Sequence, residues 1–434
     1  MKFLILAFGS VGDVYPFVGV GHALRQRGHR VSIIANPYYR RLVGDAGLDF
    51  LPAGTERHME KVLNHPHAWH PSDAWRIWIE HTAVRPMRDI YQRIEENYEP
   101  GQTVTAAAWC GPAARIAQEK LGVPMASTYL EPDKIRTLHQ TSIMPWPMLL
   151  KPWFPRFAKA AEFWLYDMLV IDRFFAGRIN RFRRELGLPR VNRVLHHWCH
   201  SSQMTIGLFP KWWGDVQPDW PPNSHVTGFP LWDRGDAPAA GDEVTAFLDA
   251  GDPPIVFSPG AVNRDARRFF QVAVEACRLL GRRGMLLSRD ASQIPGNLPP
   301  GVRYFSYVPF GELLPRAAAM VHHAGIGTSA QCMAAGLPQV VVPLIYPHPD
   351  SAERMRRLGV ATSLKHQLLD EHRLARALRY VLSSATVAAR CRAVAEQIKG
   401  ERPLERTCDL LESLAGTEAA ARGEAGSKPQ SETH

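Results

Sequence analysis

The sequence predicts an α/β protein built from two doubly wound, Rossmann-like domains that face each other across a cleft. Apolar runs of five to seven residues alternate with helical periods of ten or more, as parallel strands covered by helices on both faces require. The rhythm starts at residue 3 and restarts at residue 253, so it occurs once in each half. Between the halves lies TGFPLWDRGDAPAAGDE (227–243), whose Gly, Pro, Ala and Asp content is that of a linker. A chain of 434 residues is long enough to bury two separate cores.

The elements follow in order. FLILAF (3–8) is the first strand, GSVGDVYPF a turn, VGVGHALRQRGH a helix and RVSIIAN the next strand. YYRRLVGDAG is a helix and DFLPA a strand; further on, TVTAAAW (103–109), AARIAQEKLG and PMASTYL give strand, helix, strand. The second half opens with strand PPIVFSPG (253–260), helix ARRFFQVAVEACRLLGRRG and strands MLLSRD and VRYFSYV. Helix GELLPRAAA, strand MVHH, helix GTSAQCMAAG, strand QVVVPL and helix SAERMRRLG complete it. The expected domains are 1–226 and 244–415, joined by the linker 227–243. Residues 416–434 lack an apolar period and are expected to form a disordered tail.

Composition narrows the function. Hydrophobic residues make up 45% and charged residues 21%, a globular balance. MKFLILAF is followed by no small-residue cleavage site, and no run reaches the length of a membrane span. Six scattered cysteines without a CxxC pair suit a reducing compartment, so a cytoplasmic location is expected. The net charge of +9 is densest in AGRINRFRRELGLPRVNR (176–193), read as a solvated helix face. No nucleic-acid-binding signature accompanies it, and no nucleic-acid partner is expected.

The stretch VHHAGIGTSAQCMAAG (321–336) carries the strongest chemical signal. A strand ends at two histidines, and Ala324, Gly325 and Gly327 let a ligand approach the backbone. Thr328 and Ser329 then open a helix whose first N–H groups lack partners inside it. Those donors and the positive end of the helix dipole favour an anion, and a histidine beside them adds one more donor. A metal fits poorly: neighbouring residues on a strand point in opposite directions, and the turn holds no carboxylate. The spacing also lacks the GK[ST] of a P-loop. A phosphate group is the expected ligand. At the end of the first strand, Asp13 in GSVGDVYP has two readings: a carboxylate facing the cleft, or a helix N-cap.

VHHAGIGTSAQCMAAGLPQVVVPL resembles the nucleotide-diphosphate site of GT-B glycosyltransferases of the UDP-glycosyltransferase superfamily. FGSVGDVYPFVGVGHALRQRGHRV resembles the other end of the same family. WCHSSQMTIGLFPKWWGDVQPDWPPNSHVTGFPLWD (198–233) is most similar to the rhamnosyltransferase chain of rhamnolipid synthesis. The likeness runs to about residue 415. It implies an inverting transferase with Asp13 as general base. His323, Gly325, Gly327 and Thr328 would hold the donor diphosphate, with Ser258 and Gly260 near the phosphates. Tyr307 would stack on the base, Val308 would bond its edge, and Gln331 would grip the ribose. His322 is the structural member of the pair. Where relatives place an Asp–Gln run, PLIYPHPDSAE has Pro347 and His348, so contacts to the donor sugar fall to His348, Asp350 or residues elsewhere. The implied donor is dTDP-L-rhamnose or UDP-glucose, with no resident cofactor or metal. The implied acceptor is a hydroxyl of an apolar molecule, such as a 3-hydroxyacyl lipid, a sterol or a polyketide.

Tryptophan is concentrated in HAWHPSDAWRIWIEH (67–81) and in SIMPWPMLLKPWFPRFAKAAEFWLYDMLVIDRFF (142–175). The helix bearing Trp164, Leu165, Met168, Ile171 and Phe175 has three readings: core packing, the lining of an apolar pocket, or an amphipathic surface touching a membrane. Trp164 and Met168 are the expected acceptor-pocket residues, and peripheral membrane contact is a further expectation. His196, His197, Cys199 and His200 superficially resemble metal ligands but are read as structural.

Overall fold

A computed structural model describes residues 1–70, 72–140, 142–143, 154–232, 241–260 and 266–426, with side chains through 415. The N-terminal sheet has seven strands: β1 (Lys2–Leu6), β2 (Arg30–Ala35), β3 (Asp49–Pro52), β4 (Thr103–Ala108), β5 (Met125–Tyr129), β6 (Met204–Gly207) and β7 (Ser224–Val226). Their order is β3-β2-β1-β4-β5-β6-β7, all parallel. The C-terminal sheet contains β8 (Ile255–Ser258), β9 (Gly284–Leu287), β10 (Val302–Phe305), β11 (Ala319–His322), β12 (Gln339–Val341) and β13 (Ala361–Ser363). It is ordered β10-β9-β8-β11-β12-β13, again parallel throughout. The apolar runs read from the sequence are the buried central strands: every residue of β4 and β5 is buried, as a sheet covered on both faces demands.

Both sheets reverse strand order beside their first strand, and in such folds ligands collect beyond the carboxyl ends there. Among the described residues, hydrogen bonds join the domains across that region, one of them from Arg354 Nη1 to the Trp213 carbonyl (2.5 Å). Ser351 Oγ donates to Glu131 Oε1 (3.2 Å) and Tyr346 Oη to the Asp133 carbonyl (3.2 Å). The Ile143 amide donates to Asp350 Oδ1 (2.8 Å) and Arg354 Nη2 to Ser142 Oγ (3.2 Å).

Several expectations change. GSVGDVYPF is not a turn throughout, because the helix Val11–Gln26 starts at Val11 and contains Pro16. Ser10 at its N-cap and Asp13 in its first turn fix the start upstream of the proline. The arginine-rich segment is not wholly solvated: Arg183 is buried, its Nε donating to the Pro189 carbonyl (2.8 Å) and its guanidinium paired with Glu119. The boundary at 415 falls inside the helix Pro403–Gly426. Ala, Glu and Arg dominate TEAAARGEAG and favour helix by propensity without an apolar stripe. The tail expected from 416 is helical to Gly426, and residues 427–434 lie outside the described residues. The start of this helix returns to the N-terminal domain. Cys408, Leu411 and Leu414 join its core, and Arg27 bonds Asp409 (2.6 Å) and Glu412 (2.9 Å). Residues 233–240 of the expected linker lie outside the described residues.

Candidate active site

One cavity of about 400 Å³ lies between the domains, lined from the carboxyl ends of both sheets. On the C-terminal side, the two histidines after β11 part as alternating residues do. His322 turns into the sheet, where its Nε2 donates to Gln339 Oε1 (2.9 Å) and its Nδ1 accepts from the Ala324 amide (3.2 Å). Complete burial, with His323 adjacent, presses its pKa down to about 3, so it is a neutral structural group.

His323 turns into the cavity. Two glycines make room for its ring: a Cβ on Gly325 would stand 2.4 Å from His323 Nε2, and one on Gly260 would stand 3.1 Å from Cε1. Desolvation lowers the His323 pKa to about 4, leaving a neutral ring with one N–H to offer. Its buried Nδ1 has no hydrogen-bond partner among the described residues. The helix Ile326–Ala334 begins beside it with Gly325 as N-cap and no side-chain cap. Among the described residues no side chain caps its first-turn N–H groups, which leaves them available to a ligand. His348 packs edge-on against His323, ring centroids 4.7 Å apart.

Asp13 lies on the N-terminal side. The Ser10 amide (2.7 Å) and Ser10 hydroxyl (2.8 Å) both donate to its Oδ2. Asp13 is thus not the N-cap; Ser10 is, and Asp13 accepts back from it at the third helical position. Among the described residues no bond falls on Oδ1. Burial raises its pKa above the usual carboxylate value, against the Ser10 bonds and the charge of Lys134.

Ser258, Gly260, Tyr307, Val308, Gly325, Gly327, Thr328, Gln331, His323 and His348 line this cavity together with Asp13. Two groups of expected residues do not. Asp350 lies outside the lining: its Oδ2 accepts from Arg354 Nε (2.6 Å) and its Oδ1 from the Ile143 amide, so it is spent on the domain contact. Trp164 points outward, 51% exposed, and Met168 is half-buried away from the cavity. The helices Arg156–Tyr166 and Asp172–Glu185 instead bury Phe163, Tyr166 and Phe175. A π-helical turn at Asp167–Ile171 between them shifts the helical phase, so a regular wheel picks the wrong face. Residues 144–153 of the same aromatic segment lie outside the described residues.

The apolar wall comes from elsewhere: Trp69, Trp75, Trp78, Trp109 and Trp232. Three of these belong to the HAWHPSDAWRIWIEH cluster. His200 of the histidine group bonds the Tyr129 hydroxyl, and His196 stacks on Trp109. Sequence reading also passed over Glu131 and Lys134, which line the cavity just after β5. Their signal was available in position, since charged residues directly after the carboxyl end of a buried parallel strand face the cleft. Lys134 Nζ bonds Asp133 Oδ2 (3.0 Å), lies 3.7 Å from Glu131 Oε2 and sits 4.0 Å above the Tyr346 ring. Desolvation by burial, with Asp133 and Asp13 nearby, pushes Glu131 up to about 8.

Comparison with known proteins agrees with this geometry. Residues 3–138 match the glycosyltransferase family 28 N-terminal domain, and residues 285–412 match the erythromycin biosynthesis protein CIII-like C-terminal domain. The chain is 29% identical to O-mycaminosyltylonolide 6-deoxyallosyltransferase of Streptomyces fradiae, over 97% of this chain and 99% of that one. It is 28% identical to glycosyltransferase GtfE of Amycolatopsis orientalis, over 97% and 99%. Similar solved structures include glycosyltransferase VinC in complex with dTDP, with a TM-score of 0.69 and 20% identity over 96% of this chain and 100% of that one. The spinosyn rhamnosyltransferase SpnG complexed with thymidine diphosphate is another, with a TM-score of 0.66 and 16% identity over 95% and 100%. With two parallel-sheet domains meeting at a cleft, and matches to a family 28 N-terminal domain and an erythromycin-CIII-like C-terminal domain, the chain is a glycosyltransferase with the GT-B architecture.

Proposed function

We propose that the enzyme transfers a 6-deoxyhexose, such as L-rhamnose, from its dTDP derivative to a hydroxyl of an apolar polyketide-type acceptor, with inversion. The observation that carries this reading is the opposition of Asp13 to the His323 turn across a tryptophan-walled cavity. The diphosphate sits on the first turn of the helix Ile326–Ala334, with the His323 ring N–H on a phosphate oxygen. The acceptor lies along the tryptophans with its hydroxyl at Asp13 Oδ1. As that oxygen bonds to the anomeric carbon, its proton passes to Asp13 and the bond from the anomeric carbon to the diphosphate oxygen breaks. The leaving charge is then stabilised by the helix N-terminus and by His323. Attack from the Asp13 wall and departure toward the His323 wall place nucleophile and leaving group on opposite faces of the sugar, hence inversion.

The names of the relatives support a deoxysugar donor and a polyketide-type acceptor. A 3-hydroxyacyl lipid, expected from the rhamnolipid resemblance, is the competing acceptor.

Thermal shift with dTDP, UDP and GDP tests the donor half. At 100 times its Kd, a nucleotide that binds only the folded protein stabilises it by about 2.7 kcal/mol. dTDP is expected to raise Tm most. No shift with any of the three contradicts a nucleotide-sugar enzyme.

A further inference from the structure

We propose that Glu131 and Lys134 of the N-terminal domain are specificity-determining residues that read the donor sugar ring, and that this ring is a 6-deoxyhexose. The inference rests on the function proposed above and adds recognition of the sugar to it.

A sugar joined to a diphosphate at the His323 turn, with its anomeric carbon open to Asp13, lies between those two residues. On the C-terminal side this space is walled by Ile345, Tyr346, Pro347 and His348. Ile345 is apolar and Pro347 has no polar side-chain atom. The Tyr346 hydroxyl is committed to the Asp133 carbonyl, and His348 packs on His323. That wall offers a hydroxylated ring little to bond. The adjoining wall, from the N-terminal domain, offers two charged side chains on one turn, Glu131 and Lys134, both lining the same cavity.

Their placement is enforced. Lys134 is held over Tyr346 by the cation–π contact and by Asp133, while Ser351 Oγ fixes Glu131 Oε1. The charge of Lys134 is felt at both Asp13 and His348, the residues that bracket the ring. Burial raises Glu131 well above the usual carboxylate value, and in its protonated form it can both donate and accept. Lys134 stays cationic beside Asp133 and only donates. The pair therefore suits neighbouring ring hydroxyls. Beside it, Ile345 and Pro347 suit a methyl group on the ring; a hydroxymethyl there would bury an oxygen without a partner.

A purely structural alternative is that the pair only clamps the domains together. Calorimetric titration of dTDP, dTDP-L-rhamnose and dTDP-glucose against wild type, Lys134→Met and Glu131→Gln separates the two. Wild type is expected to bind dTDP-L-rhamnose more tightly than both dTDP and dTDP-glucose. Lys134→Met is expected to lower the preference for dTDP-L-rhamnose over dTDP by about 10- to 100-fold, the loss of one charge-assisted bond. Its dTDP affinity should stay within about twofold of wild type. The isosteric Glu131→Gln, which keeps the domain contact, should narrow the preference for rhamnose over glucose. Equal loss of dTDP and dTDP-L-rhamnose affinity in Lys134→Met indicates a clamp and overturns the proposal. So does an unchanged preference in Glu131→Gln, or a wild type that gains nothing from the sugar or favours glucose. A wild type that binds no dTDP removes the proposed function itself, and this inference with it.

Discussion

Asp13→Asn lowers turnover by about 10²–10⁴ while leaving dTDP affinity within about twofold, as expected for loss of a general base. The choice of asparagine matters because Asp13 holds two positions at once. Its Oδ2 accepts from the amide and hydroxyl of Ser10 and so secures the start of the helix Val11–Gln26. An asparagine carbonyl oxygen can accept the same bonds, so the helix start survives and only the proton acceptor is lost. Alanine would remove both and cost about 1 kcal/mol of stability in addition. The same geometry sets the pH profile. A base must be ionised to work, and burial raises the value of Asp13. Activity is therefore present above that raised value and lost as pH falls through it. The acid limb of kcat is expected above about 4, the ordinary aspartate range. A pH–rate profile and dTDP titrations of the two proteins check both statements; unchanged turnover in Asp13→Asn would leave the residue a helix-capping role only.

Stability is expected to fall steeply between pH 7 and pH 5. Burial holds His200 and His323 at about 4 and His322 at about 3, and keeps His196 and His348 well below the usual value. In the unfolded chain these rings bind protons below about 6.5. The unfolded state then takes up more protons than the folded state, so stability is lost as pH falls below that value. Each such ring costs about 2 kcal/mol at pH 5. Glu131 acts in the opposite sense: raised to about 8, it takes up its proton in the folded protein first and returns about 2–3 kcal/mol over the same interval. The histidines outnumber it, and a net loss of several kcal/mol is large against a typical total of about 5–15. Urea unfolding at pH 7 and pH 5 measures this directly. Equal midpoints at the two pH values would show that these rings are not held neutral in the fold.

The sheets were legible because parallel strands buried on both faces leave unbroken apolar runs, as at residues 3–8 and 103–109. The His322–His323 pair was legible for a related reason: strand alternation sends one ring inward and the other into the cleft. Pro16 was misleading, because a proline usually marks a turn; the S-x-x-D spacing of Ser10 and Asp13, a capping box, is the local signal that starts the helix before it. Trp164 and Met168 failed through periodicity: the π-helical turn at Asp167–Ile171 rotates one half of the segment relative to the other. Asp350 was placed on the donor sugar by resemblance, yet Arg354 and the Ile143 amide claim both of its oxygens. Glu131 and Lys134 were passed over because Glu-Pro-Asp-Lys reads as an ordinary polar turn. Only the closing of Tyr346 and Ser351 over that turn, some two hundred residues later in sequence, buries its charges.

The central claim is that Asp13 and the His323 turn act on one sugar from opposite walls of the cavity. It is tested most directly by incubating the enzyme with dTDP-L-rhamnose and a panel of apolar hydroxyl compounds, macrolide aglycones and 3-hydroxyacyl lipids among them, and analysing the products by NMR. The predicted result is an acceptor-dependent glycoside of inverted anomeric configuration, formed with release of dTDP and with macrolide aglycones preferred. A glycoside of retained configuration would contradict the account.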